Sequence, residues 1–245
     1  MKNPKVLIGV TSSFHKEYCL NEFLEGINKL TYNNFDVLFI ENSKDDKYFN
    51  KLKKLGLNVI KGPCLENPVQ SISASRNILI DKTLKGDYDY YFSLDQDVIP
   101  PVDVLEKLTS HKKKVVCGIY FNKMIENGKM VLTPGVYKII EGTKDENGLP
   151  SMKALSKEEM FNNKLLRVVS CGGGCLLIHK DIIKKIRFRE DLKQCEDRWF
   201  CIDLFKNNIE LYCDTSVKCK HLILNRPYVW KEGQLIKRED LLKKK

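Results

Sequence analysis

Apolar residues in this chain come in short runs separated by segments of helical period. "KVLIGV" (5–10), "FDVLFI" (35–40), "LNVIKG" (57–62) and "YDYYFSL" (88–94) read as strands. Between them, Leu20, Phe23, Leu24, Ile27 and Leu30 mark one helix, a Lys-rich stretch over about 45–55 a second, and residues 69–85 a third. Continuous apolar strands spaced by helices predict a parallel sheet covered on both faces. Further on, "KKVVCGIYF" (113–121) predicts another core strand, and Asn127-Gly128 between apolar runs predicts a hairpin. Residues 141–164 are polar and read as loop plus a short helix. "LLRVVSCGGGCLLIHKDII" reads as strand broken by three glycines, and "EDRWFCIDLFKNN" (196–208), apolar nearly all round, as a buried helix. The expected architecture is α/β: an open, Rossmann-like, mostly parallel sheet with helices on both faces and a smaller β-hairpin elaboration. We expect one domain over 1–222, in which residues 121–222 are built onto 1–120, followed by a basic tail over 223–245.

A chain of 245 residues is ample for a full core. No apolar run approaches the ~20 residues of a membrane span. "MKNPKVLIGV" enters a strand at once without a small-residue cleavage site, so the expected setting is cytoplasmic. Nine cysteines are scattered, and Cys171-x3-Cys175, Cys195-x5-Cys201 and Cys213-x5-Cys219 invite a zinc reading. None is a tight CxxC knuckle, so buried thiols acting as small hydrophobes are the better reading. The net charge of +10 is concentrated late: Lys218 to Lys245 carries nine Lys or Arg against three acids. Such a tail suits a solvated terminus or peripheral contact with an anionic membrane.

Ligands of an open parallel sheet bind beyond the carboxyl ends of its strands. Polar clusters follow three predicted strands: Thr11-Ser12-Ser13, Glu41-Asn42-Ser43 and Asp95-Gln96-Asp97. Parallel strands would bring all three to one edge. Asp95 and Asp97 either cap the helix expected near Val102 or share a divalent cation that leaves room for diphosphate oxygens. On the helix over 69–85, Arg76 falls on the face shared by Val69, Ile72, Leu79 and Ile80. An arginine there must meet an anion, either an internal carboxylate such as Asp95 or a bound diphosphate. Gly172, Gly173 and Gly174 allow close backbone approach to a ligand. Glu196 and Asp197 open an apolar helix, where its dipole favours acids. His221, in a short apolar run, is either structural or a metal ligand beside Asp97.

In order and spacing, these motifs resemble nucleotide-sugar-dependent glycosyltransferases of the GT-A fold, in the style of family 2, from residue 5 to about 222. The resemblance runs through "VLIGVTSSFHKEYCLNEFLEGI", "FDVLFIENSKDD", "SASRNILIDKTLKGDYDYYFSLDQDVIPP", "CGGGCLLIHKDII", "EDRWFCIDLFKNN" and "DTSVKCKHL". It implies that Thr11 and Glu41 hold the nucleoside and that Asp95 contacts the ribose or the metal's water shell. Asp97 and His221 would ligate Mn2+ or Mg2+, and Gly173 and Gly174 would border the donor sugar or the acceptor. Asp197, with Glu196 beside it, matches the acidic position near the acceptor. The implied reaction moves one hexose-type sugar from a UDP- or GDP-sugar to a hydroxyl of a carbohydrate or lipid-linked acceptor. "SASRN" also resembles retaining GT-A enzymes, so inversion and retention both stay open. Glu41-Asn42 stands where Asp-Asp or Asp-Asn is commoner, and the Gln-x-x-Arg-Trp motif of processive synthases is missing. A nucleotidyltransferase would carry a glycine-rich phosphate loop after the first strand, and "VTSSFHKEYC" contains no glycine. A nucleic-acid-binding protein would interleave its basic residues with exposed aromatics, whereas here the aromatics concentrate in predicted core elements.

Overall fold

Along β1 (Val6–Ser12), successive side chains enter two different cores: Val6, Ile8 and Val10 join one, and Leu7 joins the other. Both faces are buried because helices cover both, which is why the strand carries no polar side chain from Val6 to Val10 rather than alternating. The computed structural model describes residues 3–126, 129–144, 149–223, 226–231 and 234–237. After β1 come a 3-10 turn (Phe14–Cys19), α1 (Leu20–Asn28), β2 (Phe35–Glu41), α2 (Lys47–Lys54), β3 (Val59–Lys61), α3 (Pro68–Lys85) and β4 (Tyr90–Leu94). Then follow β5 (Val98–Ile99), α4 (Val104–Ser110), β6 (Val115–Ile119), β7 (Asn122–Glu126), β8 (Lys129–Thr133), β9 (Val136–Lys144), β10 (Pro150–Ala154) and α5 (Lys157–Phe161). The chain continues through β11 (Leu165–Val168), β12 (Ser170–Cys171), β13 (Cys175–His179), α6 (Lys180–Ile183), α7 (Glu196–Lys206), β14 (Leu211–Lys218), β15 (Lys220–His221), β16 (Tyr228–Lys231) and β17 (Gln234–Lys237).

The central sheet has eight strands in the order β11-β14-β6-β13-β4-β1-β2-β3. β4, β1, β2 and β3 are mutually parallel, and β14 is parallel to β6. β13 runs antiparallel between β4 and β6, and β11 runs antiparallel to β14. Helices α1, α2 and α4 seal one face with Phe23, Leu52 and Leu105, whereas α3, α6 and α7 seal the other with Leu79, Ile183 and Phe200. The expected mostly parallel sheet with two covered faces is present.

Some elements differ from expectation. Within 141–164, the end of β9 and all of β10 are extended, and β9 pairs antiparallel with both β10 and β12. Main-chain pairing satisfies a polar stretch that side-chain composition assigned to loop. The short helix there is α5, held by a capping box between Ser156 and Glu159. The buried face of α3 is not the aliphatic one the periodicity indicates. Arg76, Leu79 and Ile80 are buried with Ser71, Ser73, Ser75 and Thr83, whereas Val69 and Ile72 are only partly covered. The hydroxyls of Ser75 and Thr83 donate back to the Ser71 and Leu79 carbonyls (2.7 and 2.8 Å), so small polar residues line the contact without losing hydrogen bonds. β7 and β8 form a hairpin with Glu126 opposite Lys129. Its predicted Asn127-Gly128 turn lies outside the described residues. Within the basic tail, β16 and β17 pair antiparallel, and residues from 238 onward lie outside the described residues. No helix among the described residues is long and apolar enough to cross a membrane.

Candidate active site

Parallel pairing puts Ser12 opposite Glu41, and Glu41 opposite Lys61, at one edge of the sheet. Cys175 pairs with Leu94, so the glycines preceding β13 and Asp95 following β4 reach that same edge. The three predicted strand-end clusters therefore converge, and two buried charge clusters occupy the edge.

The first is built on Asp97. The β5–β15 pairing places His221 opposite Val98 and so brings it beside Asp97. Asp97 is fully buried, with its Oδ2 2.5 Å from Lys16 Nζ, 2.5 Å from Arg226 Nη2 and 3.5 Å from His221 Nε2. Burial works against its charge, yet Lys16 and Arg226 hold its carboxyl well below the usual carboxylate range. Its Oδ1 is buried and accepts no hydrogen bond among the described residues. His221 Nδ1 lies 2.8 Å from the Phe121 carbonyl. A carbonyl can only accept, so the proton belongs on Nδ1 and the Nε2 lone pair faces Arg226 Nη2 at 3.1 Å. Neither Asp95 nor Asp97 caps the following helix, which starts after Asp103.

The second cluster centres on Arg76, only 3% exposed. Its Nη2 donates to Asp95 Oδ1 (3.0 Å), and its Nη1 donates to the Gly173 carbonyl (2.9 Å) and to Ser93 Oγ. Its Nε lies 3.5 Å from Glu196 Oε1. Burial opposes its charge, but Asp95 and Glu196 keep it protonated. Thus Arg76 meets internal carboxylates, and Asp95 turns toward it. Burial raises the Glu196 carboxyl to about 7 against the pull of Arg76, and it raises the neighbouring Asp197 as well. Asp197, partly exposed, accepts from the backbone N–H groups of Arg198 (2.7 Å) and Gly173 (3.3 Å). The glycines are steric requirements. A Cβ at Gly173 would fall 2.8 Å from Arg76 Nη2, and one at Gly174 would fall 2.9 Å from Asp95 Oδ2.

Glu41, fully buried, accepts from Ser43 N (2.8 Å) and pairs with Lys61 Nζ (2.8 Å), while Thr11, opposite Ile40, lies one position before the end of β1. All the predicted site residues therefore lie along one edge, divided between the Asp97–His221 and Arg76–Asp95–Glu196–Asp197 groups and the Thr11–Glu41 end. Among the described residues, no three His, Cys, Asp or Glu side chains gather as a metal cage, and all nine cysteines are free thiols. A separate groove of about 680 Å³, lined by Lys138, Lys153, Arg167, Leu204, Phe205 and Glu210 among others, contains none of these residues.

No family model and no curated protein matches the sequence. Solved structures match its shape. GalNAc-T7 with UDP, GalNAc and Mn2+ superposes at TM-score 0.61 with 14% identity, over 90% of this chain and 44% of that one. S. aureus TarS 1–349 in complex with UDP-GlcNAc gives 0.54 with 16% identity, over 88% of this chain and 58% of that one. A197 from STIV gives 0.53 with 20% identity, over 95% and 93%. The chain has a GT-A fold. It spans roughly half the length of the GalNAc-T7 and TarS chains. In this GT-A sheet edge, sequence reasoning missed Lys16, Gln96, Tyr120 and Arg226. Gln96, between the two aspartates, is fully buried and donates to the Lys16 carbonyl (2.7 Å), fixing the turn that carries Lys16. Its place inside D-Q-D was the available signal. Tyr120, whose hydroxyl accepts from Gly174 N (3.1 Å), and Arg226, in the segment read as tail, gave none.

Proposed function

We propose that this chain is a metal-dependent glycosyltransferase that moves a single sugar from a nucleoside-diphosphate sugar to a hydroxyl acceptor. The carrying observation is Asp97 beside His221, with a buried carboxylate oxygen unpartnered among the described residues and an imidazole Nε2 lone pair at the strand-end edge of a GT-A sheet. That donor set fits Mn2+ or Mg2+, which take oxygen and imidazole ligands and complete their shell with water and substrate phosphates. When bound, the ion neutralises charge growing on the departing diphosphate. Lys16, 27% exposed, adds a positive charge at the same spot.

Thr11 and Glu41 hold the nucleoside, with Glu41 fixed by Ser43 and Lys61. Asp95, oriented by Arg76, faces the ribose or donor sugar, and the Gly173–Gly174 backbone borders it. Asp197 takes the acceptor proton if the reaction inverts, and the raised carboxyl of Glu196 beside it is poised near neutrality for proton traffic. The UDP and UDP-GlcNAc bound by the neighbouring structures favour UDP-sugars among donors. The acceptor is a carbohydrate or lipid-linked sugar, and the basic tail rests against an anionic membrane surface.

The test is thermal stabilisation by UDP-, GDP- and CMP-sugars, each with Mn2+ and with EDTA. A ligand at a hundredfold excess over Kd stabilises by about 2.7 kcal/mol, roughly 5–10 °C for a chain of this size. A shift with one nucleotide, lost in EDTA, is expected. No shift with any donor would remove the proposal.

A further inference from the structure

The atom standing between Asp97 and His221 is itself a cation. Arg226 Nη2 donates to Asp97 Oδ2 at 2.5 Å and to His221 Nε2 at 3.1 Å, and Arg226 Nε adds a second bond to the same oxygen at 2.9 Å. A divalent ion held by Asp97 and by the Nε2 lone pair of His221 would sit about 2.1 Å from its oxygen ligand, where Arg226 Nη2 faces that lone pair. The two cations exclude each other sterically and by charge.

Charge balance says which one yields. Lys16 Nζ, 2.5 Å from Asp97 Oδ2, already neutralises this carboxylate, so Arg226 is the surplus positive charge. Exposure says the same. The Arg226 side chain is 41% exposed, whereas the Arg76 side chain is 3% exposed and spread over Asp95, Ser93, Gly173 and Glu196. One guanidinium is built in, and the other has a path to water. Arg226 also leads directly into β16 and β17, which pair with each other and lie outside the eight-stranded sheet.

We propose that Arg226 is an internal counter-cation that holds the divalent-ion position between Asp97 and His221 and surrenders it when the ion binds, so that ion binding displaces the strand pair β16–β17. The inference rests on the metal-site reading above. A site that must first release a latch binds its ligand more weakly by the fraction of molecules unlatched. With water replacing most of its contacts, the release of Arg226 at the net worth of about one charge-assisted hydrogen bond corresponds to roughly a ten- to hundredfold penalty.

Mn2+ affinity is measured without nucleotide, from the free-ion signal in electron paramagnetic resonance, for the wild type, Arg226→Gln, Arg226→Lys and Asp97→Ala. Arg226→Gln is expected to bind Mn2+ roughly ten- to hundredfold more tightly than the wild type. Arg226→Lys, which keeps a cation, should fall between them, and Asp97→Ala should bind none. In the wild type, which needs no variant to fold, Mn2+ should speed amide hydrogen exchange across residues 228–237. Equal affinity in wild type and Arg226→Gln, or unchanged exchange with Mn2+ bound, overturns the latch while leaving the donor site intact. If neither protein binds Mn2+ but a UDP-sugar stabilises both in EDTA, both the latch and the metal role fall, and only a metal-free donor site survives.

Discussion

Glu196 should make the stability of this protein fall as pH rises through a range where most domains are indifferent. Its carboxyl titrates near 4.5 in an unfolded chain and is raised to about 7 in the folded one, because burial outweighs the attraction of Arg76. Between those values the folded protein keeps a proton that the unfolded chain has lost, so each step upward in pH favours unfolding. At about 1.4 kcal/mol per pH unit, the gap amounts to roughly 3 kcal/mol, fully lost once the pH passes the folded value. Glu196 is 7% exposed, so solvent screening takes little of this away. Glu196→Gln keeps the shape of the neutral acid and cannot ionise. Urea unfolding of both proteins, in steps from pH 4 to 8, should show the variant gaining on the wild type by roughly 3 kcal/mol across the series. Asp97 does not blur the result: its carboxyl is depressed below 3.8, so its stabilisation is complete above that pH and is lost only below it. Parallel pH profiles would refute the reasoning and mean that Arg76 ionises Glu196 in the folded state.

Three further outcomes follow from the same geometry. Gly173→Ala should cost about 1–3 kcal/mol in urea unfolding, since the added methyl meets an Arg76 guanidinium with no room to retreat; wild-type stability would show that the cluster is loose. Asp97→Asn should abolish Mn2+-dependent stabilisation by the donor while leaving a cooperative unfolding transition. It should also flatten the loss of stability below pH 3.8. Donor affinity that is equal with and without Mn2+ in the wild type would count against the first half. Truncation before Lys237 should weaken sedimentation with anionic vesicles and leave neutral ones unaffected; unchanged partitioning would show that the tail is not a tether.

What the sequence made legible was whatever depends on periodicity and chain order. β1, β2 and β4 could be read because both cores demand continuous apolar residues, and their polar ends marked the edge. Arg76 was conspicuous because a guanidinium on a buried helix face requires an anion, and Asp95 was one of the two readings offered. The antiparallel course of β13 was hidden, since an apolar strand buried on both faces carries no mark of direction. In 141–164 the short helix was legible, but the strand β10 was not, because backbone pairing rather than side-chain burial makes it extended. Arg226 was indistinguishable from its basic neighbours: only the fold brings it 129 positions back along the chain to Asp97.

The position of β13 also sets a clock for the nascent chain. β4 has β1 on one side, but its other partner is β13, with Leu94 waiting for Cys175. At typical rates of synthesis, on the order of ten seconds separate the emergence of the two. Throughout that interval the first half presents a largely aromatic and apolar strand with an open edge, the form of chain most prone to pairing with a stranger. The core of this sheet is therefore finished late and from its far end, and a fragment ending at residue 120 should aggregate rather than fold.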